Sequence, residues 1–310
     1  MRIVFCGSGP FAVPSLRAVV SGGHEVAAVI TQPARPAGRG GRLRATPVAR
    51  AAAEAGLHVM ECPNVNAAEA VSGLRAAEPE VLCVADFGQL IRAAARQVAP
   101  HGAFNLHASL LPALRGAAPI NWVIINGESR TGVTTFFIEE KVDTGEILLQ
   151  QEVPIDRDIT AGELHDELAR LGASLLLDTV LGLARQDIHP MPQHGPATRA
   201  PKIIPELCRI DWHRSAREVH NLVRGLSPMP AAVAGFGPMR LKIVRTRLSE
   251  RPCKERLPGE VMEVGKNGPV TVATGSGTID LLQIQPPGRR IMEIGEFIQG
   301  NPVNPGDFLT

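Results

Sequence analysis

Residues 2–31 read RIVFCGSGPFAVPSLRAVVSGGHEVAAVIT. An apolar, β-prone run, Arg2–Gly7, stops at glycine. Phe11–Gly23 then shows helical spacing with a Gly-Gly stop, and Glu25–Thr31 is β-prone again. A strand, a helix and a second strand in so short a span predict the start of a parallel sheet. The alternation continues downstream. Residues 45–56 read as a helix ended by Gly56, 57–63 as a strand, 66–79 as a helix and 80–88 as a buried strand. Up to about Gly145 the chain therefore reads as α/β: a doubly wound, Rossmann-like, mostly parallel sheet with helices on both faces. Gly7, Gly9 and Ala12 fit the G-x-G-x-x-A dinucleotide fingerprint. That fingerprint also wants an acid at the end of the second strand, where this chain has Gln32. A tight strand-to-helix turn is the better reading.

The stretch FNLHASLLPALRGAAPINW, residues 104–122, raises a different question. Residues two apart in a strand share a face, so Asn105 and His107 project together, with Phe104 and Leu106 opposite. Pro112 and the run from Gly116 to Pro119 end the strand and lead into a helix. Ligands of open α/β sheets bind beyond the carboxyl ends of strands, where this polar pair lies. A core histidine with a hydrogen-bond partner is the plainer alternative. Asp143 sits in a glycine-containing turn, where aspartate is common for local reasons, and its value depends on reaching His107. An amide and an imidazolium can both stabilise an oxyanion, and a carboxylate favours and orients the imidazolium. No serine or cysteine is set up as an attacking group, so direct transfer to an external nucleophile is favoured over a covalent intermediate.

Residues 134–155 read as a hairpin-type connection around Asp143-Thr144-Gly145, and 160–184 as an amphipathic helix with a Thr160/Glu163 capping box. Residues 189–205 hold five prolines and no periodicity, a linker by composition. Beyond them a helix at 215–230 precedes short strands separated by turns, which predicts a smaller C-terminal β-barrel, OB-like. The expected domains are 1–188, a linker over 189–205, and 206–310.

With 44% hydrophobic and 20% charged residues the chain can bury a large core. No apolar run is long enough to span a bilayer, so no membrane association is expected. The amino-terminal run is too short for a signal peptide. Five scattered cysteines, without a CxxC pair, indicate neither a metal site nor a disulfide framework, and free thiols point to the cytoplasm. Net charge is only +1, yet residues 34–50 carry five arginines and no acid, within a 16-residue strand-to-helix loop (32–47). Residues 239–256 carry seven basic side chains against two acids. Such patches suit a polyanion, and equally suit solvated loops. Without heptads or a long exposed edge, a monomer is expected.

Taken together, FNLHASLLPALRGAAPI, TGVTTFFIEEKVDTGEILL, the basic loop TQPARPAGRGGRL, and the C-terminal segments RIDW, VRGLSPMP and EFIQGNPVNPGDFL resemble the formyltransferase family that uses 10-formyltetrahydrofolate. The likeness is greatest to its branch acting on methionyl-tRNA, and it runs over nearly the whole chain. It implies the formyltransferase fold, 10-formyltetrahydrofolate as co-substrate, and initiator methionyl-tRNA as the partner, held by its acceptor arm. No metal and no nucleotide cofactor are implied. Asn105, His107 and Asp143 match the catalytic trio. Ser109, Leu110, Leu111 and Pro112 match a folate-site wall, and the pterin is expected near Phe87, Gly88 and Gln89. Arg39, Arg42 and Arg44, with Lys202 in the C-terminal half, match tRNA-binding positions. The chain departs from the family pattern at Met229, usually Trp, and at Lys141, in the approach to Asp143. Formyltetrahydrofolate hydrolysis, formylation of another amine such as an amino sugar, and a non-catalytic tRNA-binding role are the rival readings. The hydrolase does not need the arginine loop, and the non-catalytic role does not need the trio.

Overall fold

The strand-to-helix turn that opens the chain depends on glycine. A Cβ on Gly7 would lie 2.9–3.0 Å from the Phe5 ring, the Ala12 methyl and the Ala85 carbonyl. Without it β1 (Arg2–Gly7) passes directly into a helical turn and α1 (Val13–Ser21), and Gly23, at φ +76°, returns the chain to β2 (Glu25–Thr31). The computed structural model describes residues 1–37, 41–252 and 256–310. A two-stranded ribbon follows, β3 (Arg35–Ala37) and β4 (Arg42–Arg44). Thr46 then caps α2 (Pro47–Glu54), its hydroxyl accepting from the Ala49 N–H at 3.0 Å. The alternation runs on through β5 (Val59–Glu61), α3 (Ala68–Ala76), β6 (Val81–Ala85), α4 (Ala93–Arg96) and β7 (Ala103–His107). Then come β8 (Arg115–Gly116), α5 (Pro119–Ile125), β9 (Arg130–Phe137), β10 (Ile147–Pro154), α6 (Ala161–Arg185) and β11 (Arg199–Ala200).

Two units result. Residues 1–116, 131–153 and 165–200 form the first, and residues 117–130, 154–164 and 201–310 the second. The first is built on a seven-stranded sheet in the order β10-β9-β7-β6-β1-β2-β5. Its pairings are parallel from β7 to β5, and β9 runs antiparallel to β7. The chain winds outward from β1 through β2, then returns to β6 on the other side. The crevice between the carboxyl ends of β1 and β6 is thus the topological switch point. The expected hairpin around residues 143–145 joins the adjacent strands β9 and β10. Phe5, Leu82 and Phe104 are fully buried between the layers. Leu106 turns away from Asn105 and His107 and packs on α6, where a Cβ on Gly172 would lie 2.7 Å from a Leu106 methyl.

Residues 189–200, a linker by their prolines, are built into this first unit. The Thr198 hydroxyl accepts from Leu114 N–H at 2.8 Å, its carbonyl accepts from Arg115 N–H at 3.0 Å, and β11 pairs in parallel with β8. Proline stiffens an extended chain as readily as it marks a flexible one.

In the second unit a Ser215/Glu218 capping box starts α7 (Ala216–Leu226), which packs on α5. The strands are β12 (Ala232–Phe236), β13 (Met239–Ser249), β14 (Val261–Val264), β15 (Val270–Ala273), β16 (Thr278–Gln285) and β17 (Met292–Glu293), followed by α8 (Ile294–Gly300). The sheet order is β12-β13-β16-β15-β14, with β17 on β16, and all pairings are antiparallel. Residues at the carboxyl end of the chain bridge its two edges. Leu309 pairs with Phe236 beside β12, and Phe308 pairs with Glu260 beside β14. These bridges close the expected small barrel. Val223, Leu226, Ile243, Val272 and Ile284 fill its core. No helix among the described residues is long and apolar enough to cross a membrane.

Replacing Gly172 by Val forces two extra methyls against Leu106. Overpacking of this kind costs about 1–3 kcal/mol. The Gly172→Val variant should unfold at a lower temperature in calorimetry; an unchanged midpoint would mean that α6 does not pack this closely on β7.

Candidate active site

β7 delivers Asn105 and His107 to the carboxyl end of the sheet. Asn105 is half-buried and His107 is buried. The imidazole is held from three sides. Its Nε2 lies 3.0 Å from the Leu114 carbonyl oxygen, its Nδ1 lies 4.0 Å from Asp143 Oδ2, and Phe136 meets its ring edge-on at a centroid distance of 6.4 Å. A carbonyl oxygen only accepts, so Nε2 carries the hydrogen of that contact. Nδ1 can then donate to a substrate only when the ring carries both protons, and the Asp143 carboxylate stands where it would balance that charge.

Two residues in the left-handed region place these partners. Leu114, at φ +59°, turns its carbonyl toward His107, and Asp143, at φ +54°, turns its carboxylate there. Asp143 Oδ2 also accepts from the Gly116 N–H at 2.8 Å. Gln193 locks the turn from outside. Its Nε2 donates to the carbonyls of Asp143 and Gly145 at 3.0 and 2.8 Å, and its Oε1 accepts from Arg115 Nη2 at 2.6 Å. Leu114, Arg115, Gln193 and Thr198 thus form a supporting frame that pattern reading did not pick out. Gln193 carried no signal, because it lies in a proline-rich segment without periodicity. Leu114 left only the adjacent Arg-Gly as a trace.

Asn105 and Asp143 line one cavity, of about 320 Å³. Val84, Phe136 and Ile138 give it an apolar wall, and Arg92, Arg96, Glu140 and Lys141 a charged one. Arg96 and Glu140 form an ion pair across it at 3.4 Å. Leu90 and Val142 leave large apolar side chains exposed on its lining, 64% and 51%. Gln89 belongs to this lining, with its amide committed to Val65 N–H and the Cys62 carbonyl. Phe87 and Gly88 line a different cavity, of about 280 Å³, with Ser8, Gly9, Arg44 and Asp86. Phe87 is itself buried in the core, and its carbonyl accepts from Gln32 Nε2 at 2.8 Å. The three residues expected around a pterin are therefore divided between two cavities.

Ser109–Pro112 form a tight loop that lines neither of them. Ser109 Oγ donates to the Ala113 carbonyl at 2.6 Å, the Ser109 carbonyl accepts from Thr134 Oγ1 at 2.6 Å, and Leu111 packs with Phe136 and Ile147. Through Phe136 the loop supports the ring that meets His107 edge-on. A Cβ on Gly9 would fall 1.8 Å from an Asp86 carboxylate oxygen. In the dinucleotide fingerprint a pyrophosphate approaches this glycine, and here a carboxylate stands beside it. Cys6 supplies no nucleophile, since burial and neighbouring Cys62 push its thiol up to about 12. Among the described residues no three His, Cys, Asp or Glu side chains gather as a metal-ligand set.

Of the basic candidates, Arg42 and Arg44 are exposed on β4, Lys202 is exposed in the second unit, and Arg39 lies outside the described residues. The 239–256 patch is largely neutralised within its own unit. Arg245, Arg247, Arg251 and Arg256 pair with Glu163, Asp280, Glu263 and Glu260. Among the described residues of the patch Arg240 and Lys242 remain, lining an apolar cavity of about 430 Å³ with Ile204 and Pro230.

A formyl transferase family profile matches residues 1–180, and the profile of the formyl transferase C-terminal domain matches residues 202–302. A protein of Moorella thermoacetica named methionyl-tRNA formyltransferase is 43% identical over 310 residues, which cover 100% of this chain and 99% of that protein. Among solved structures, the sugar 3N-formyl transferase WlaRD, in the presence of dTDP and 5-N-formyl-THF, is similar at TM-score 0.69 and 19% identity, over 94% of this chain and 99% of WlaRD. HypX of Aquifex aeolicus, in complex with tetrahydrofolic acid, is similar at TM-score 0.67 and 19% identity; it matches 100% of this chain, which spans only 50% of HypX. With both of its halves matched and a relative of that identity aligned from end to end, the chain belongs to the formyl transferase family.

Proposed function

We propose that this chain moves the formyl group of 10-formyltetrahydrofolate to the amino group of methionine esterified to initiator tRNA. The full-length likeness to a methionyl-tRNA formyltransferase supports the choice of acceptor. The folate-bound relatives, alike in fold, support the donor. The observation that carries the chemistry is the three-sided hold on His107, with its neighbours Asn105 and Asp143 lining one cavity.

In this reading the amine nitrogen attacks the formyl carbon and a C–N bond forms. The carbonyl electron pair moves to oxygen, giving a tetrahedral oxyanion. The Asn105 amide and the His107 imidazolium stabilise that charge, and the Asp143 carboxylate, 4.0 Å from Nδ1, balances and orients the ring. The oxyanion collapses, the bond to folate N10 breaks, the former amine loses a proton and N10 gains one. No proton is consumed overall. The walls of the first cavity hold the folate, with Gln89 fixing the turn that forms part of them. Phe87 and Gly88 shape the barrier beside it, and Ser109–Pro112 complete the folate side.

Residues 1–188 carry the chemistry and 206–310 hold the acceptor arm, with Lys202, Arg240 and Lys242 as remaining cations. Gln193 and Thr198 give the start of the 189–205 segment a part in the chemistry as well. Arg39, Arg42 and Arg44 meet the tRNA backbone.

Incubation of the purified protein with 10-formyltetrahydrofolate and methionyl-tRNA should give formylmethionyl-tRNA, resolved by acid gel. Folate hydrolysis without that product would overturn the reading in favour of a hydrolase. Asn105→Ala removes one oxyanion donor and should lower kcat by roughly 10²–10³ with little change in the KM of either substrate; a pure KM effect would assign Asn105 to binding. Arg42→Ala should weaken tRNA use and flatten its salt dependence by about one counterion while sparing folate affinity. Equal loss of both substrates would contradict this division.

A further inference from the structure

The second cavity has a charge arrangement that the transfer chemistry does not use. It lies at the switch point, beside the carboxyl ends of β1 and β6, and Arg35, Arg44, Gln32, Thr46 and Asp86 are among its lining. Arg35 and Arg44 are direct cross-strand partners in the β3–β4 ribbon. Like charges placed directly opposite on a ribbon repel, so the fold gains nothing from this pair unless an anion bridges it. Arg35 Nη2 donates to Gln32 Oε1. Arg44 makes no hydrogen bond or ion pair among the described residues, and neither arginine is paired with Asp86 there. The Asp86 carboxylate lies against the Phe11 backbone N–H, in the space a Gly9 side chain would need.

Two guanidiniums face one carboxylate, whose burial favours its neutral form, so the cavity carries a net positive charge of at least one. A phosphodiester carries one negative charge and matches the guanidinium fork. A pyrophosphate would bring a second charge against Asp86. The cavity is also close to the chemistry. Ala85 pairs with Leu106 in the sheet, so the next residues along the two strands are Asp86 and His107.

We propose that this cavity is a seat for a single phosphodiester, clamped by Arg35 and Arg44. Resting on the tRNA reading above, it receives the phosphate on the 5′ side of the aminoacylated terminal nucleoside. Donor and acceptor then enter through separate cavities on either side of the Phe87–Gln89 turn, and the phosphate registers the acceptor one nucleoside away from His107.

The test is binding of the dinucleoside monophosphate CpA against its uncharged methylphosphonate analogue, measured by calorimetry on the full chain. Neither ligand carries an amino acid, so the result does not depend on formyl transfer. CpA should bind at least roughly tenfold more tightly than the neutral analogue. Arg44→Gln and Arg35→Gln should each abolish most of that preference, while Arg35→Lys should retain part of it. Equal affinity of the protein for the two ligands, or a preference that survives both glutamine variants, would overturn the seat. Loss of formyl transfer with the preference intact would instead count against the proposed function alone.

Discussion

A backbone carbonyl cannot donate, so the contact between His107 Nε2 and the Leu114 carbonyl fixes a proton on that nitrogen. Much of the site follows from this one constraint. With Nε2 committed, only Nδ1 is free to act, and it is the nitrogen that faces Asp143. The ring cannot trade roles between its nitrogens, and its edge-on contact with Phe136 fixes its tilt. The cost lies in the backbone. Leu114 and Asp143 both occupy the left-handed region, at about 1–3 kcal/mol each for residues with a side chain. Both are pinned by hydrogen bonds from neighbouring segments, Leu114 by Thr198 and Asp143 by Gly116 and Gln193. Strain of this kind persists only where the surroundings over-determine it.

The same economy of backbone contacts divides the crevice at the head of the sheet. The turn after β6 sends the Phe87 carbonyl toward Ser8 and Gln32 and fastens Gln89 to Cys62 and Val65. One turn thus serves as a partition, with a cavity of mixed apolar and charged walls reaching Asn105 on one side and a cationic one holding Arg35 and Arg44 on the other. A two-substrate transfer needs such separation, since donor and acceptor must approach the same carbon from different directions.

Charge counted along the sequence overstated one surface. Seven basic residues between 239 and 256 read as a patch, but β13 lies beside β16 and several acids come within reach in the folded barrel. Thr271 also donates to Asp280 at 2.8 Å, so the acid that pairs Arg247 is itself fixed. The ribbon arginines differ, because no acid lies near them in the chain and Arg44 finds none among the described residues in the fold. Exposed cations that keep their charge remain available to a polyanion; locally paired ones contribute little to its capture.

Alternating periods, glycine stops and caps are local, so the sequence alone determined the α/β order, the pairing of Asn105 with His107 on one strand face, and the helices opened by Thr46, Thr160 and Ser215. It also determined the family resemblance, which gave Asp143 a role that its glycine-containing turn alone did not. Only the tertiary structure decided which distant groups meet. Asp143 reaches His107 across 36 positions through the β9–β10 turn, Gln193 locks that turn from a proline-rich segment, and Leu111 of the Ser109–Pro112 loop packs on Phe136, the ring that meets the histidine. Closure of the barrel by Phe308 and Leu309 belongs to the same class. These contacts depend on sheet order and on left-handed backbone at Leu114 and Asp143. Leucine does not announce that conformation and aspartate only tolerates it, so in both it is imposed by partners far away in the chain.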